Sequence, residues 1–132
     1  MARVILDTGV LIEVGRRRLG LSALSAQDDI ALPAVVLAEY LAGLQIDPDP
    51  DRRARGRAEL ERIRAVAPIE DYTAKVAPHH ADLLAHTRRT GRPRGPHDLI
   101  IAATARATDR VLLTTDRKAA FEDLPGVQVR AL

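Results

Sequence analysis

Four carboxylates stand where the hydrophobic pattern leaves little room for an idle charge. Asp7 directly follows the apolar run Val4-Ile5-Leu6, and Asp116 follows Val111-Leu112-Leu113 and two threonines. Glu39 lies inside the apolar stretch from Ala34 to Ile46, on the helical face of Val35, Ala42 and Ile46. Asp98 heads a second apolar stretch, Leu99-Ile100-Ile101-Ala102-Ala103. Each Asp taken alone suits a helix cap or a turn. Glu39 resists that reading, because an ionised Glu in a buried helix carries a large desolvation penalty unless it is paired. Positions 35, 36, 42 and 43 are Val, Val, Ala and Gly, so no Lys or Arg stands one turn away.

Convergent carboxylates in a chain without cysteine describe a site for a hard cation. Mg2+ is the expected ion and Mn2+ its substitute, since both prefer oxygen ligands. Such an ion acidifies water and stabilises charge on a phosphoryl oxygen, which points to phosphodiester hydrolysis. The histidines offer no competing site. His79, His80 and His86 fall on a solvent-facing helix without an i, i+4 pair, and His97 reads as a loop residue before Asp98. Arg92 and Arg94 sit in the loop that leads into Asp98 and are candidates for phosphate contact. The Arg52–Arg64 run, interleaved with Glu59 and Glu61, reads as a solvated helix face.

The elements that must position these groups are short. Val4–Leu6, Ile30–Leu32, Val66–Ile69, Val111–Leu113 and Val127–Val129 read as strands, the third weakened by Pro68. Helices are expected over Val10–Val14, Ala34–Ile46, Arg52–Ala65 and Asp98–Ala107, with helical turns at Ser22–Gln27 and Arg117–Phe121. Tyr72–Thr90 is a further amphipathic helix in which Pro78 demands a kink or a late start. The helix from Ala34 is apolar nearly all round, which predicts burial. Apolar strands alternating with helices give a mainly parallel sheet with helices on both faces. Ligands in such sheets bind beyond the carboxyl ends of the strands, where Asp7 and Asp116 fall.

Composition narrows the rest. The 132 residues suit a single domain over 1–132, large enough to fold without disulfides or structural metal. Zero cysteines exclude zinc fingers, iron–sulfur clusters and thiol nucleophiles. Tyr40, Tyr72 and Phe121 are the only aromatics, too few for a base-stacking platform. The formal net charge of +2 is too small to establish a nucleic-acid partner, although 18 of the 20 basic residues are arginine, which suits phosphate. An acid after three apolar residues excludes a signal peptide, and no run reaches membrane-spanning length, so a cytoplasmic protein is expected.

The segments Val4–Ile12, Leu32–Tyr40, Gly95–Ala105 and Leu113–Val127 together resemble PIN-domain ribonucleases, and the length resembles the VapC toxins of type II toxin–antitoxin pairs. The resemblance implies a three-layer α/β/α sandwich, a magnesium-dependent endoribonuclease, a homodimer, and neutralisation by a small cognate antitoxin. It also implies that Asp7, Glu39, Asp98 and Asp116 line the metal site, with the hydroxyls of Thr8 and Thr115 in support. Cleavage would leave a 5′-phosphate and a 3′-hydroxyl. Thr8-Gly9 departs from the Ser or Asn that often follows the first acid. A haloacid-dehalogenase-like phosphatase needs an acid at position 9, which is Gly, and a receiver domain needs a Lys placed otherwise than Lys118. The remaining alternative is a PIN-like module that binds RNA or a partner without cutting.

Overall fold

The computed structural model describes residues 2–20, 22, 24, 26 and 28–132. Five strands form one parallel sheet: β1 (Ala2–Leu6), β2 (Asp28–Pro33), β3 (Ile69–Glu70), β4 (Val111–Thr114) and β5 (Val129–Ala131). Their order is β3-β2-β1-β4-β5. The chain therefore builds outward from β1 on one side, then returns to lay β4 on its other side. The strand order reverses between β1 and β4, and open α/β sheets bind ligands at the carboxyl edge of such a reversal. Leu6 pairs with Leu113, so Asp7 and Thr114 emerge side by side at that edge.

The helices are α1 (Thr8–Gly15), α2 (Ala34–Ile46), α3 (Pro50–Arg64), α4 (Val76–Thr90) and α5 (Pro96–Ala107), with a 3-10 turn at Phe121–Asp123. α1, α2 and α3 pack together, and α4 runs along α5. Val4, Ile5 and Leu6 are all fully buried. Successive strand side chains point to opposite faces, so burial of all three requires that both faces are covered. Full burial of each such side chain stabilises the fold by about 1.5–3 kcal/mol. Among the described residues no helix is long and apolar enough to cross a membrane.

Several expected boundaries move for local reasons. β3 begins at Ile69 because the amides of Val66 and Ala67 still bond the Ile63 carbonyl, closing α3. α3 itself starts earlier than expected, with Pro50 in its first turn and Asp49 accepting from the amides of Asp51 and Arg52. α4 starts at Val76, which puts Pro78 in the first turn and removes any need for a kink. The expected helical turn at Arg117 is a turn wrapped on the Asp116 carboxylate, and regular structure resumes only at Phe121. β5 lies two residues later than expected. The helical turn expected over 22–27 includes Ala23, Ser25 and Gln27, which lie outside the described residues.

The larger correction concerns α2. Its composition predicts burial, yet only Val36 and Tyr40 are buried, while Ala38, Ala42 and Gln45 are exposed and Ile46 is 82% exposed. The helix packs on α1, α3, α5 and β2. The α3 face also differs from a purely solvated one. Glu59 is buried and held by Arg17 at 2.6 Å and Arg62 at 3.0 Å. Leu60 and Ile63 form its inner face.

Candidate functional site

Asp7 ends β1 and begins α1, and its carboxylate serves both junctions. Oδ1 accepts from the Val10 amide at 2.9 Å, the helix-cap bond that its position suggests. Oδ2 accepts from the hydroxyl of Thr114 on the neighbouring strand. A carboxylate offers about four lone-pair positions, so two acceptor sites remain. Asp7 is buried, and this desolvation pushes its carboxyl above its ordinary value against the pull of the Thr114 and Val10 bonds, with the Asp116 charge adding to the rise.

Asp116 follows β4 and sits exposed on the same edge. Its Oδ1 accepts from the amides of Lys118 at 2.9 Å and Ala119 at 3.1 Å, and its own amide donates to Thr114 Oγ1 at 2.9 Å. Thr114, which sequence reasoning passed over in favour of Thr115, therefore joins both strand-end acids. Thr115 is exposed and its Oγ1 turns toward Gly9, where a methyl group would lie only 2.6 Å away. That approach explains glycine after Thr8. Nothing in the sequence singles out Thr114: only the pairing of Leu6 with Leu113 puts the last residue of β4 beside the first residue beyond β1.

Asp98 occupies the first turn of α5, and no described residue hydrogen-bonds its carboxylate. Gly95 leaves it room, since a methyl there would stand 2.9 Å from Asp98 Oδ2. Burial is the main cause that raises its carboxyl above the ordinary value. The charges of Asp116, Glu39 and Asp7 follow in that order, and His97 opposes them. Asp98 thus feels all three other acids.

Glu39 reaches the site from α2. Its Oε1 accepts from Thr8 Oγ1 at 3.1 Å and lies 3.7 Å from His97 Nδ1. Its side chain is 33% exposed, so the desolvation expected for a buried helix is not what holds it. It faces a groove of about 820 Å3 between α1, α2 and α3, lined by Ile12, Arg16, Tyr40, Leu44 and Arg55 among others. His97, expected as a bystander in a loop, stands in α5 against Glu39. Arg94, a candidate for phosphate contact, has one nitrogen engaged by backbone. Its Nη1 donates to the carbonyls of Ala119 and Ala120, at 2.8 Å to the latter.

The donor set fits a hard cation in kind. It consists of carboxylate oxygens, and among the described residues no Lys or Arg neutralises Asp7, Glu39, Asp98 or Asp116. The charges of Asp116, Glu39 and Asp7 add to the burial that raises the Asp98 carboxyl, so the acids lie close enough to repel one another. Among the described residues no three of these groups close into a ready cage. Like charges relax apart, and Mg2+ in any case keeps several waters and needs few protein ligands.

Comparison with known proteins bears on the family and the fold. Residues 4–127 match the PIN domain family. The VapC ribonuclease Y4jK of Sinorhizobium fredii is 31% identical over 121 residues, covering 86% of each chain. The crystal structure of VapBC2 from Rickettsia felis bound to a promoter DNA fragment superposes with a TM-score of 0.85 at 22% identity, over 98% of both chains. VapBC-5 from Mycobacterium tuberculosis, a member of the VapBC family of toxin–antitoxin systems, gives 0.76 at 26% identity, over 100% of this chain and 98% of that one. A five-stranded parallel sheet with acids at its point of reversal, and a match running through nearly all of the sequence, lead to one assignment: the chain belongs to the PIN domain family, among the VapC proteins.

Proposed function

We propose that the chain is a magnesium-dependent endoribonuclease and the toxin of a toxin–antitoxin pair, working in the cytoplasm. What supports this reading is that Thr114 bonds both Asp7 and Asp116 at the carboxyl edge where the strand order reverses, that Thr8, next to Asp7, bonds Glu39, and that Asp98 lies close enough to feel the charges of all three. Its VapC relatives, one named a ribonuclease, support RNA as the substrate.

Asp7, Glu39, Asp98 and Asp116 would hold the ion, which supplies a Lewis acid for the phosphoryl oxygens and lowers the pKa of water. The chain's own contribution is position. Thr114 and the Val10 amide fix Asp7, Thr8 fixes Glu39, and the turn 116–119 fixes Asp116 on its own amides. Asp98, without a hydrogen-bond partner, is free to orient toward whatever cation or water occupies the centre. Water attacks phosphorus in line, the bond to O3′ breaks, and the products are a 5′-phosphate and a 3′-hydroxyl. The water's proton passes to a site carboxylate or to solvent, and the departing O3′ takes up a proton from solvent to become the hydroxyl.

The groove beside Glu39 and the exposed apolar side of α2 support binding of an antitoxin and self-association as a homodimer. Burial of such surface is favourable, and exposed contiguous apolar faces mark interaction sites. The test is incubation of the purified chain with a structured RNA in Mg2+ and in chelator, with analysis of the new ends. Mg2+-dependent internal cuts bearing 5′-phosphate are expected. Mn2+ uptake without any cleavage would point instead to a binding module that does not cut.

A further inference from the structure

Two short segments approach each other beside the carboxylates: the 91–95 loop that enters α5 and the turn after Asp116. Arg94 spans them. We propose that Arg94 is a positioning residue that locks the Asp116 turn against the Asp98 helix, and that it makes no phosphate contact. The proposal rests on the metal-site reading above.

The turn is gripped from both ends. Ala119 donates its amide to Asp116 Oδ1 at 3.1 Å and gives its carbonyl to Arg94 Nη1. One residue, through the two peptides on either side of its Cα, thus links the Asp116 carboxylate to the Arg94 guanidinium. Lys118 adds a second amide to the same Asp116 oxygen at 2.9 Å. The next residue, Ala120, has φ 46°, in the left-handed region that a β-carbon disfavours. Such a conformation needs support from outside the turn, and Arg94 supplies it at the Ala120 carbonyl, 2.8 Å away.

On its other side Arg94 is one peptide from Gly95. The Gly95 carbonyl accepts the Leu99 amide at 3.1 Å, which opens α5, and Gly95 lies under Asp98 Oδ2. Arg94 is half-buried while Arg92, Pro93 and Gly95 around it are exposed. A planar guanidinium with fixed donor directions suits two adjacent carbonyls, which a flexible ammonium matches less well. Asp98 stands on α5 and Asp116 on the turn after β4; α5 packs on β4, and Arg94 adds a hydrogen-bonded tie between the entry to α5 and that turn.

The experiment titrates Mn2+ alone into wild type, Arg94→Ala, Arg94→Lys and, as a control for lost charge, Arg64→Ala on the exposed end of α3. Amide exchange of Lys118 and Ala119, melting in chelator, and the salt dependence of RNA binding are read alongside. Partners that orient ligating carboxylates affect metal affinity by about 10–100-fold. Arg94→Ala should lose about that much Mn2+ affinity and the protection of both amides. Arg94→Lys should recover part of each, and Arg64→Ala none of the loss. The salt slope for RNA with Arg94→Ala should stay that of wild type, because no phosphate contact is removed. Wild-type Mn2+ affinity in a folded Arg94→Ala protein overturns the proposal, as does a salt slope reduced by about one with both amides still protected. Should Arg94→Ala fail to fold, Arg94→Lys with unchanged amide protection and unchanged Mn2+ affinity overturns it equally. Absence of Mn2+ uptake by the wild type would instead sink the metal-site reading, a failure visible in the first titration.

Discussion

The hydroxyl of Thr114 donates to Asp7 Oδ2 while its oxygen accepts the amide of Asp116 at 2.9 Å. One side chain therefore couples the acid at the end of β1 to the acid beyond the end of β4. The sheet register makes this unavoidable. Leu6 pairs with Leu113, and the Asp7 amide bonds the Leu113 carbonyl at 3.1 Å, so the next residue of each strand faces the other.

Removing that hydroxyl should uncouple the two acids. Thr114→Val keeps the shape and takes away both bonds, leaving a buried carboxylate short of a donor. Mn2+ affinity should fall by about 10–100-fold, and folding stability by about 1 kcal/mol. Thr114→Ser should retain most of both. Titration calorimetry and denaturant melts check this, and a Thr114→Val protein with wild-type metal affinity would remove Thr114 from the site.

Asp7→Asn and Asp98→Asn should each lower Mg2+-dependent RNA cleavage by about a hundredfold or more, since each removes a charge that holds the ion or orients water. Single-turnover cleavage of one RNA by each variant is the measurement. Near wild-type cleavage by Asp98→Asn would mean that the four acids are not a catalytic site.

The acids were legible because each broke a hydrophobic pattern, and the order of short apolar strands and helices was enough for a parallel α/β sheet. Thr114 was not legible, because a threonine ending a strand breaks no pattern, and only the β1–β4 register identifies its neighbour. Arg94 was legible as a cation near Asp98 but not as the holder of two carbonyls, since backbone conformation at Ala120 has no signature in an alanine. The exposure of α2 was missed for a different reason. Apolar composition predicts that a face will be covered, and it does not say whether the cover belongs to the same chain.

A structural arginine gives a separate test of the fold. Arg110 is buried at the start of β4, and its Nη1 donates to the carbonyls of Val4 at 3.0 Å and Asp29 at 2.9 Å, with Glu70 3.5 Å from Nε. It ties together the strands that the chain visits first, second and third. Arg110→Met should destabilise the fold by about 1–3 kcal/mol, since two strand carbonyls lose their donor and Glu70 its partner. Mn2+ affinity per folded molecule should not change. A melt and a titration on the same sample decide between this role and any part in the site.

The last prediction turns on the site's own repulsion. Burial and the charges of Asp116, Glu39 and Asp7 raise the Asp98 carboxyl above its unfolded value. The folded chain therefore binds more protons at this group than the unfolded chain does. The stability this contributes is complete below the unfolded value and is lost as pH rises through the raised folded one. At neutral pH in chelator, ionised Asp98 opposes folding, and a neutral isostere does not. Asp98→Asn should melt in chelator at the wild-type temperature or above it, although inactive. Saturating Mg2+ reverses the comparison, because binding to the folded state alone at about 100 times Kd stabilises by about 2.7 kcal/mol, and the variant should gain less. Lowering the pH in chelator should close the gap between the two proteins, since wild-type Asp98 then takes up its proton. Thermal melts across pH, with and without the ion, measure all three effects. If Asp98→Asn is clearly destabilised in chelator at neutral pH, Asp98 is a paired structural carboxylate, and the electrostatic case for a cation at this edge is lost with it.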